Sequence, residues 1–264
     1  MCLIVFGWQV HPRYALVLAA NRDEFFDRPT LPLDYWEDHP DVLGGRDIEK
    51  GGTWLATNVD GRWAAVTNFR DGNPVAPSSF SRGHLVSNYV ASRASASTYA
   101  SKVSEPLPRY PGCNLLLGDS QSLVYVSNRD VSGAGVQGQH LRPGVYGLSN
   151  HLLNTPWPKL KHTRHALQEL LDQGQSDIAD DLFGVLANRN AAHDDELPVT
   201  GVSPERERML SAPFIVSQDY GTRASTVLLV EHDGTLVMQE RSFGSGGTEL
   251  ARCSRTVKRK ACGQ

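Results

Sequence analysis

Apolar runs that end on polar residues recur along this 264-residue chain. Residues 3–8 and 14–20 are almost wholly apolar, and a short polar segment, 11–13, separates them. Because neither run alternates with polar residues, we expect an antiparallel hairpin that is buried on both faces, with strand 3–8 central in its sheet. Two further hairpins with turns that contain glycine and aspartate are predicted: 53–58 with 62–68, and 113–117 with 122–127.

The rest of the pattern adds helices, more strands and two irregular segments. Helices are predicted at 83–93 (continuing weakly to 104), 156–173 and 176–188, and strands at 144–149, 213–218, 222–231 and 235–243. Segment 25–52 is rich in Pro, Asp and Gly and is predicted to be a long connection. Hairpins followed by helix pairs and further strands predict an α+β domain over 1–243. Residues 244–264 are Gly/Ser-rich and then basic, which predicts a flexible tail.

Charge and composition narrow the classes of partner. The formal net charge is -3, with 40% hydrophobic and 21% charged residues, which gives no electrostatic reason to expect nucleic acid or an anionic membrane. No apolar run approaches the roughly 18 residues of a spanning helix, and the N-terminal run lacks a basic leader. We therefore expect a cytoplasmic protein whose main partner is a small molecule.

The cysteines and histidines do not predict a metal site. Cys2, Cys113, Cys253 and Cys262 have no CxxC spacing, so neither a disulfide framework nor a zinc site is predicted. Cys113 heads a predicted core strand and is expected to be buried. His162 and His165 lie three residues apart but away from the apolar stripe of their predicted helix, so we expect them to be solvated.

Cys2 is the first candidate for chemistry. If Met1 is removed, which a small second residue permits, Cys2 carries a thiol and an α-amine on one residue. The amine has an ordinary pKa of about 8, so it is a base within reach of the nucleophile. The alternative is that Cys2 is a small hydrophobic residue opening a buried strand.

Polar residues at the ends of strands supply the other candidates. Segment 21–24 (Asn-Arg-Asp-Glu) follows the second arm of the first hairpin, so it should lie beside Cys2. Arg22 or Arg223 near the thiol is expected to lower its pKa. Asn21 lies in that segment, and Asn68 and Asn150 end later strands; the amides of all three are suited to stabilising an oxyanion. The alternatives are a solvated strand end for 21–24 and local turn hydrogen bonds for the asparagines.

Three segments resemble a known family. The Met-Cys start, Asn-Arg-Asp-Glu at 21–24 and Gly-Gly-Thr-Trp-Leu at 51–55 occur together, and on them the chain up to about Phe243 is identified as a member of the NRDE family, the transport and Golgi organisation 2 proteins. This resemblance implies a link to haem trafficking, to lipid homeostasis or to the handling of acyl-coenzyme A, and so a small apolar or acyl-bearing ligand.

A more distant resemblance bears on mechanism. Segment 58–61 with 67–69, and 149–150 with 154–156, are similar to motifs of the choloylglycine hydrolase and penicillin V acylase family. Those enzymes are N-terminal-nucleophile hydrolases with a four-layer αββα fold. The resemblance implies that Cys2 is the nucleophile, that Asn68 and Asn150 are oxyanion-side donors and that Arg223 tunes the cysteine. The order Asn-Arg-Asp-Glu differs from that family's Arg-Asn-x-Asp, so the roles within Arg22, Asp23 and Glu24 stay open.

Two functions are therefore expected. The first is a cysteine amidase or thioesterase on an acyl compound, with no cofactor. The second is a non-catalytic carrier of haem or acyl-coenzyme A on the same fold, with Cys2 or a histidine as the axial ligand if haem binds. The predicted catalytic residues are Cys2, Arg22, Asp23, Asn68, Asn150 and Arg223. The predicted binding residues are Asn21, Glu24, Trp54 and Phe69.

Overall fold

The strands of the protein form two antiparallel sheets. The computed structural model describes residues 2–72, 80–129 and 136–258. The first sheet has the spatial order β10 (Gly144–Leu148), β1 (Cys2–Trp8), β2 (Tyr14–Phe25), β11 (Tyr220–Glu231), β12 (Leu236–Phe243) and β13 (Glu249–Val257). The second sheet has the order β3 (Thr30–Tyr35), β4 (Val42–Asp47), β5 (Leu55–Asn58), β6 (Trp63–Asn68), β7 (Cys113–Gly118), β8 (Leu123–Ser127) and β9 (Gln139–His140).

The described residues form five α-helices, and four of them cover the outer faces of the two sheets. The five helices are α1 (Arg82–Val90), α2 (Ala96–Ser104), α3 (Pro158–Gln173), α4 (Ala179–Leu186) and α5 (Pro204–Leu210). One apolar core lies between the two sheets. A second core packs α1 and α2 on the seven-stranded sheet, and a third packs α3 and α4 on the six-stranded sheet. The predicted four-layer αββα sandwich is confirmed.

Strand β1 is an interior strand because both of its faces are apolar. It lies between β10 and β2 in the six-stranded sheet. Ile4 and Phe6 point into the core between the sheets, whereas Leu3 and Val5 point toward α3 and α4. The prediction of a central strand 3–8 is confirmed. The register of the hairpin sets Cys2 opposite Arg22, so the start of β1 faces the polar end of β2.

Two predictions about the connections are wrong. Segment 25–52 contains β3 and β4 rather than a long irregular connection. Strand β3 is at the sheet edge and exposes most of its side chains, so it has no apolar alternation to detect. Conversely, 213–218 is irregular and only 213–215 is buried: the Phe214 amide donates to the Asn188 carbonyl and the Ile215 amide to the Thr222 hydroxyl, in place of a strand ladder.

The flexible tail predicted for 244–264 also needs correction. Residues 249–257 form β13, which pairs antiparallel with β12 along its length. Most β13 side chains are exposed, so the strand shows no hydrophobic period, but Val257 is buried opposite Leu236. Backbone hydrogen bonds to β12 hold this strand in the sheet, and the side-chain pattern of 249–257 does not reveal them. The remainder of that tail, 259–264, lies outside the described residues. Helix α5 was not predicted either.

Cys113, His162 and His165 have the solvent exposure that the sequence analysis predicts. Cys113 is buried, and His162 and His165 are exposed. Cys2, Cys113 and Cys253 are free thiols, and Cys262 falls outside the described residues. Over the described ranges, no group of three His, Cys, Asp or Glu residues is arranged to hold a metal ion. In the same ranges, no helix has the length and apolar character needed to cross a membrane.

Candidate functional site

A large cavity opens where β1 begins and where β2 and β6 end. Its volume is about 1270 Å³. Seven of the predicted site residues line it: Cys2, Arg22, Asp23, Glu24, Trp54, Asn68 and Phe69. The expectation that Cys2 and the polar end of β2 are neighbours is confirmed by the pairing of Cys2 with Arg22. Three predicted residues, Asn21, Asn150 and Arg223, are not among the described residues that line the cavity.

The end of β2 sends alternate side chains to opposite faces of the sheet. The guanidinium of Arg22 lies over the Trp54 ring, 4.3 Å from the ring centre, and 3.8 Å from the Asp47 carboxylate, so it faces the second sheet. Asp23 points to the other face, where its Oδ1 accepts a hydrogen bond of 2.8 Å from the Thr222 hydroxyl. Both side chains are buried.

Asn21 shares the helix-facing side of β2 with Asp23 but has a structural role. Its amide nitrogen donates to the carbonyls of Leu186 and Pro213, each at 2.9 Å, and its oxygen accepts from the Ser225 hydroxyl. These bonds tie β2 to the end of α4 and to the irregular segment after α5. Both N–H groups of the side chain are therefore used within the fold, and Asn21 does not line the cavity.

A hydrogen-bonded wall, formed by Cys2, Ser149, Asn150 and Asn68, connects the candidate nucleophile with two of the predicted oxyanion donors. The Ser149 hydroxyl donates to the Cys2 carbonyl at 3.3 Å. The next residue, Asn150, has a left-handed backbone with φ of 59° and donates from Nδ2 to Asn68 Oδ1 at 2.7 Å. Because Asn68 accepts through its oxygen, its amide N–H groups remain for the cavity. Asn150 thus orients Asn68 and does not itself face the cavity.

Arg223 is turned away by an irregularity in β11. The register between β2 and β11 shifts between Thr222 and Ala224, which leaves Arg223 as the extra residue of a bulge. Its guanidinium donates to the carbonyls of Phe25, Phe26 and Arg28 and so holds the turn after β2. Arg223 therefore stabilises the turn that follows β2 and does not line the cavity.

The expectation of a lowered thiol pKa at Cys2 is wrong. Burial raises the pKa of the Cys2 thiol, and Asp23 and Glu24 raise it further, while Arg22 opposes them. The physical reason is that the cost of burying a thiolate is the largest effect and outweighs the opposing charge of Arg22, which also lies near Asp47. A thiol with a raised pKa needs a nearby base to remove its proton during any attack.

Comparison with known proteins identifies the family. Residues 1–245 match the family model described as Transport and Golgi organisation 2. The chain belongs to this family. It is 35% identical over 266 residues to the "Transport and Golgi organization protein 2 homolog" of Bos taurus, an alignment that covers 92% of this chain and 93% of the relative. The homolog of Homo sapiens is 34% identical over 262 residues, with the same coverage.

Comparison with a solved structure provides separate evidence on the fold. The conjugated bile acid hydrolase of Clostridium perfringens, in a mutant form, matches with a TM-score of 0.52 and 8% sequence identity. The match covers 99% of this chain and 94% of that one. This member of the Transport and Golgi organisation 2 family therefore has the fold of the N-terminal-nucleophile hydrolases. At this identity the likeness concerns the fold alone.

The cavity of this family member is basic although the whole chain is acidic. The lining contains eight basic side chains: Arg22, Arg28, Lys50, Arg70, Arg82, Arg109, Arg129 and Arg206. It contains four acidic ones: Asp23, Glu24, Asp47 and Asp71. The formal charge of the chain is -3, so positive charge is concentrated at this cavity. Such a lining attracts anionic ligands.

Sequence reasoning missed three buried charged residues near the cavity. Arg70 and Glu207 form a buried ion pair at 3.3 Å, and the Arg70 guanidinium lies 4.4 Å from the Trp157 ring centre. Lys159, the second residue of α3, is 3% exposed. Segment 156–158, Pro-Trp-Pro, signals the start of a helix but does not reveal which side chains its packing buries.

Proposed function

We propose that this protein is a cysteine N-terminal-nucleophile hydrolase that cleaves an amide or thioester of an acyl compound. The hydrogen-bonded wall that runs from Cys2 through Ser149 and Asn150 to Asn68 supports this most strongly. A nucleophile and an oriented amide donor lie beside one cavity, which is the arrangement that acyl transfer needs.

The proposed reaction begins when Met1 has been removed. The Cys2 sulfur attacks the substrate carbonyl carbon, and its proton moves to the Cys2 α-amine. Asn68 donates to the resulting oxyanion. The carbon–nitrogen or carbon–sulfur bond then breaks, the leaving group takes the proton from the amine, and an acyl thioester remains on Cys2. Water attacks this thioester, releases the carboxylic acid and restores the thiol.

The raised thiol pKa suits this sequence of proton transfers. A neutral thiol at Cys2 is protected from other electrophiles until its own amine accepts the proton. The amine has an ordinary pKa of about 8, so near neutrality a part of the population is unprotonated. Met1 removal therefore controls activity, because a retained Met1 leaves Cys2 without this base.

The test combines mass spectrometry with turnover. Intact-mass analysis establishes whether Met1 is absent, and a panel of acyl amides and acyl thioesters is then screened with that form. A substrate should leave a transient acyl adduct on Cys2. Cys2→Ser should fold normally and lose turnover, and Cys113→Ser, at a buried thiol on β7, is the matched control. Full turnover in Cys2→Ser would refute the hydrolase.

The basic lining favours a second candidate, a carrier of an anionic acyl ligand. The phosphates of acyl-coenzyme A match several arginines better than haem does, because haem needs a strong axial ligand and the raised pKa of the Cys2 thiol disfavours the thiolate. For a carrier, Cys2→Ser would leave acyl-coenzyme A binding largely intact, and no adduct would form. Binding and turnover measured on the same variant separate the two candidates.

A further inference from the structure

Arg70 is a buried cation in the lining of the cavity, and two contacts fix its position. Its backbone amide donates to the Asn150 carbonyl at 2.7 Å. Its guanidinium lies over the Trp157 ring, 4.4 Å from the ring centre. The side chain is only 5% exposed, yet it lines the cavity. Because Asn150 also donates from Nδ2 to Asn68 Oδ1, the same residue holds both Asn68 and Arg70.

The guanidinium of Arg70 has hydrogen-bond donors to spare. A guanidinium carries five N–H groups. Nε and Nη1 of Arg70 are buried, and within the described part of the chain neither donates a hydrogen bond. Burial lowers the pKa of Arg70, and the charge of Glu207 opposes this shift without cancelling it. Buried donors without acceptors are unfavourable, so an acceptor that enters the cavity beside Arg70 is bound favourably.

Glu207 neutralises Arg70 only in part. Its Oε2 lies 3.3 Å from Arg70 Nη1, but neither atom makes a hydrogen bond with a described residue. The other oxygen, Oε1, accepts from both the backbone amide and the hydroxyl of Thr200. Glu207 is therefore held by Thr200 and acts on Arg70 through its charge. An anion that meets the guanidinium with good hydrogen-bond geometry gains interactions that Glu207 does not provide.

The chemistry of this position selects an anionic oxygen group. Carboxylates and phosphates bind a guanidinium through two parallel N–H···O bonds. Asn68 and Arg70 both line the cavity and are two residues apart, so their Cα atoms are separated by no more than about 7 Å. We propose that Arg70 anchors an anionic group of the ligand, which makes the preferred ligand an acyl compound with a carboxylate or phosphate a few bonds from its carbonyl.

The two parts of this proposal have different supports. The anion site rests on the burial, the stacking and the unused donors of Arg70. The place of the acyl carbonyl beside Asn68 rests on the proposed function. Binding and turnover therefore have to be measured separately.

The test compares three octanoyl thioesters that differ in one terminal group. Their thiols are mercaptopropionate, mercaptoethyl phosphate and the neutral mercaptopropionamide. Affinity is measured by titration calorimetry on the full chain with Cys2→Ser, which prevents turnover. One of the charged compounds should bind at least about tenfold more tightly than the neutral one, the effect of a hydrogen bond to a charged group, and the better one identifies the anion. Equal affinity for all three compounds would overturn the proposal.

Variants separate Arg70 from the general positive charge of the cavity. Arg70→Gln should abolish the preference for the charged compound, and Arg70→Lys, which keeps the charge but lacks the planar fork, should retain only part of it. Arg109→Gln, at an exposed position of the lining, should have a smaller effect because solvent screens its charge. Arg93→Gln, an exposed arginine outside the lining, should have none. Equal losses in Arg70→Gln and Arg109→Gln would overturn the proposal.

Glu207→Gln provides a readout that a purely structural ion pair would not move. This change removes the charge that competes for Arg70, so the affinity for the charged compound should rise by about tenfold while that for the neutral compound stays the same. A structural pair predicts lower stability and an unchanged ratio of affinities, which would count against the anchor. If Arg70→Gln does not fold, Arg70→Lys and Glu207→Gln still decide the question.

Turnover by protein with Cys2 intact and Met1 removed distinguishes this proposal from the proposed function. A charge preference that depends on Arg70, in a protein that hydrolyses none of the three compounds, would support the anchor and count against the hydrolase. Equal turnover of charged and neutral compounds, with KM values that Arg70→Gln does not change, would support the hydrolase and overturn the role of Arg70.

Discussion

The buried ion pair between Arg70 and Glu207 provides the sharpest stability prediction. Arg70 lies two residues after the end of β6, and Glu207 lies on α5. Their charged atoms are 3.3 Å apart, and the side chains are 5% and 4% exposed. The Arg70 backbone amide also donates to the Asn150 carbonyl at 2.7 Å, so the pair adjoins the wall that orients Asn68. Glu207→Gln removes one charge and leaves the other buried.

The expected loss can be estimated from this geometry. Breaking a buried pair from one side costs about 3–5 kcal/mol of unfolding free energy, because the remaining ion has lost both water and its partner. We expect a value near the lower end, since a glutamine oxygen can still accept from the Thr200 amide, which now bonds Glu207 at 3.1 Å. Adding Arg70→Met removes the stranded cation and should recover most of the loss.

Urea unfolding at neutral pH, fitted as a two-state transition, measures each variant. Asp194→Asn is the matched control. It removes one charge of the exposed Arg208–Asp194 pair, in which Arg208 is the residue after Glu207 on α5, and should have no measurable effect on the free energy of unfolding. The reasoning fails if Glu207→Gln costs less than about 1 kcal/mol, the range of an exposed pair. It also fails if the double variant is no more stable than Glu207→Gln alone.

Three further predictions concern the site, the sheet interface and α3. If the protein is a hydrolase, Asn68→Ala should lower kcat by about 10²-fold or more, and Asn150→Ala by less because it acts through Asn68; equal kcat in wild type and Asn68→Ala would exclude Asn68 as the donor. Burial raises the pKa of Glu240, which accepts from the Leu33 amide, to about 7, so the folded state binds more protons than the unfolded state and stability falls as pH rises toward 7. Urea unfolding should therefore show Glu240→Gln gaining up to about 3 kcal/mol on wild type between roughly pH 5 and 8, and parallel pH profiles would contradict this. Gly147→Ala should cost about 1–3 kcal/mol by overpacking against Leu160, whereas Gly184→Ala, in an open position on α4, should not destabilise; thermal unfolding of the two variants checks this.

The sequence by itself determined the elements whose signal is local. The apolar runs at 3–8 and 14–20 fixed β1 and the beginning of β2, and with them the pairing that brings Cys2 to Arg22. The glycine-containing turns fixed two further hairpins, and the apolar stripe fixed α3. The short motifs at 21–24 and 51–55 identified the family. In each case neighbouring residues carry the information, through periodicity, turn chemistry or motif.

Only the tertiary structure decided where the polar side chains point and which charges are buried. Strand alternation directs Arg22 and Asp23 to opposite faces of the sheet, and a bulge in β11 turns Arg223 away from the cavity. The amide nitrogen of Asn21 donates to the carbonyls of Leu186 and Pro213, which are distant in sequence. Strand β13 exists because β12 offers a backbone edge, and its own side chains carry no pattern. Lys159 looks like any lysine in a helix until α3 packs on β1 and β10 and encloses it. Burial and charge pairing depend on segments far apart in the chain, and the pKa values of Cys2, Asp23 and Lys159 depend on both.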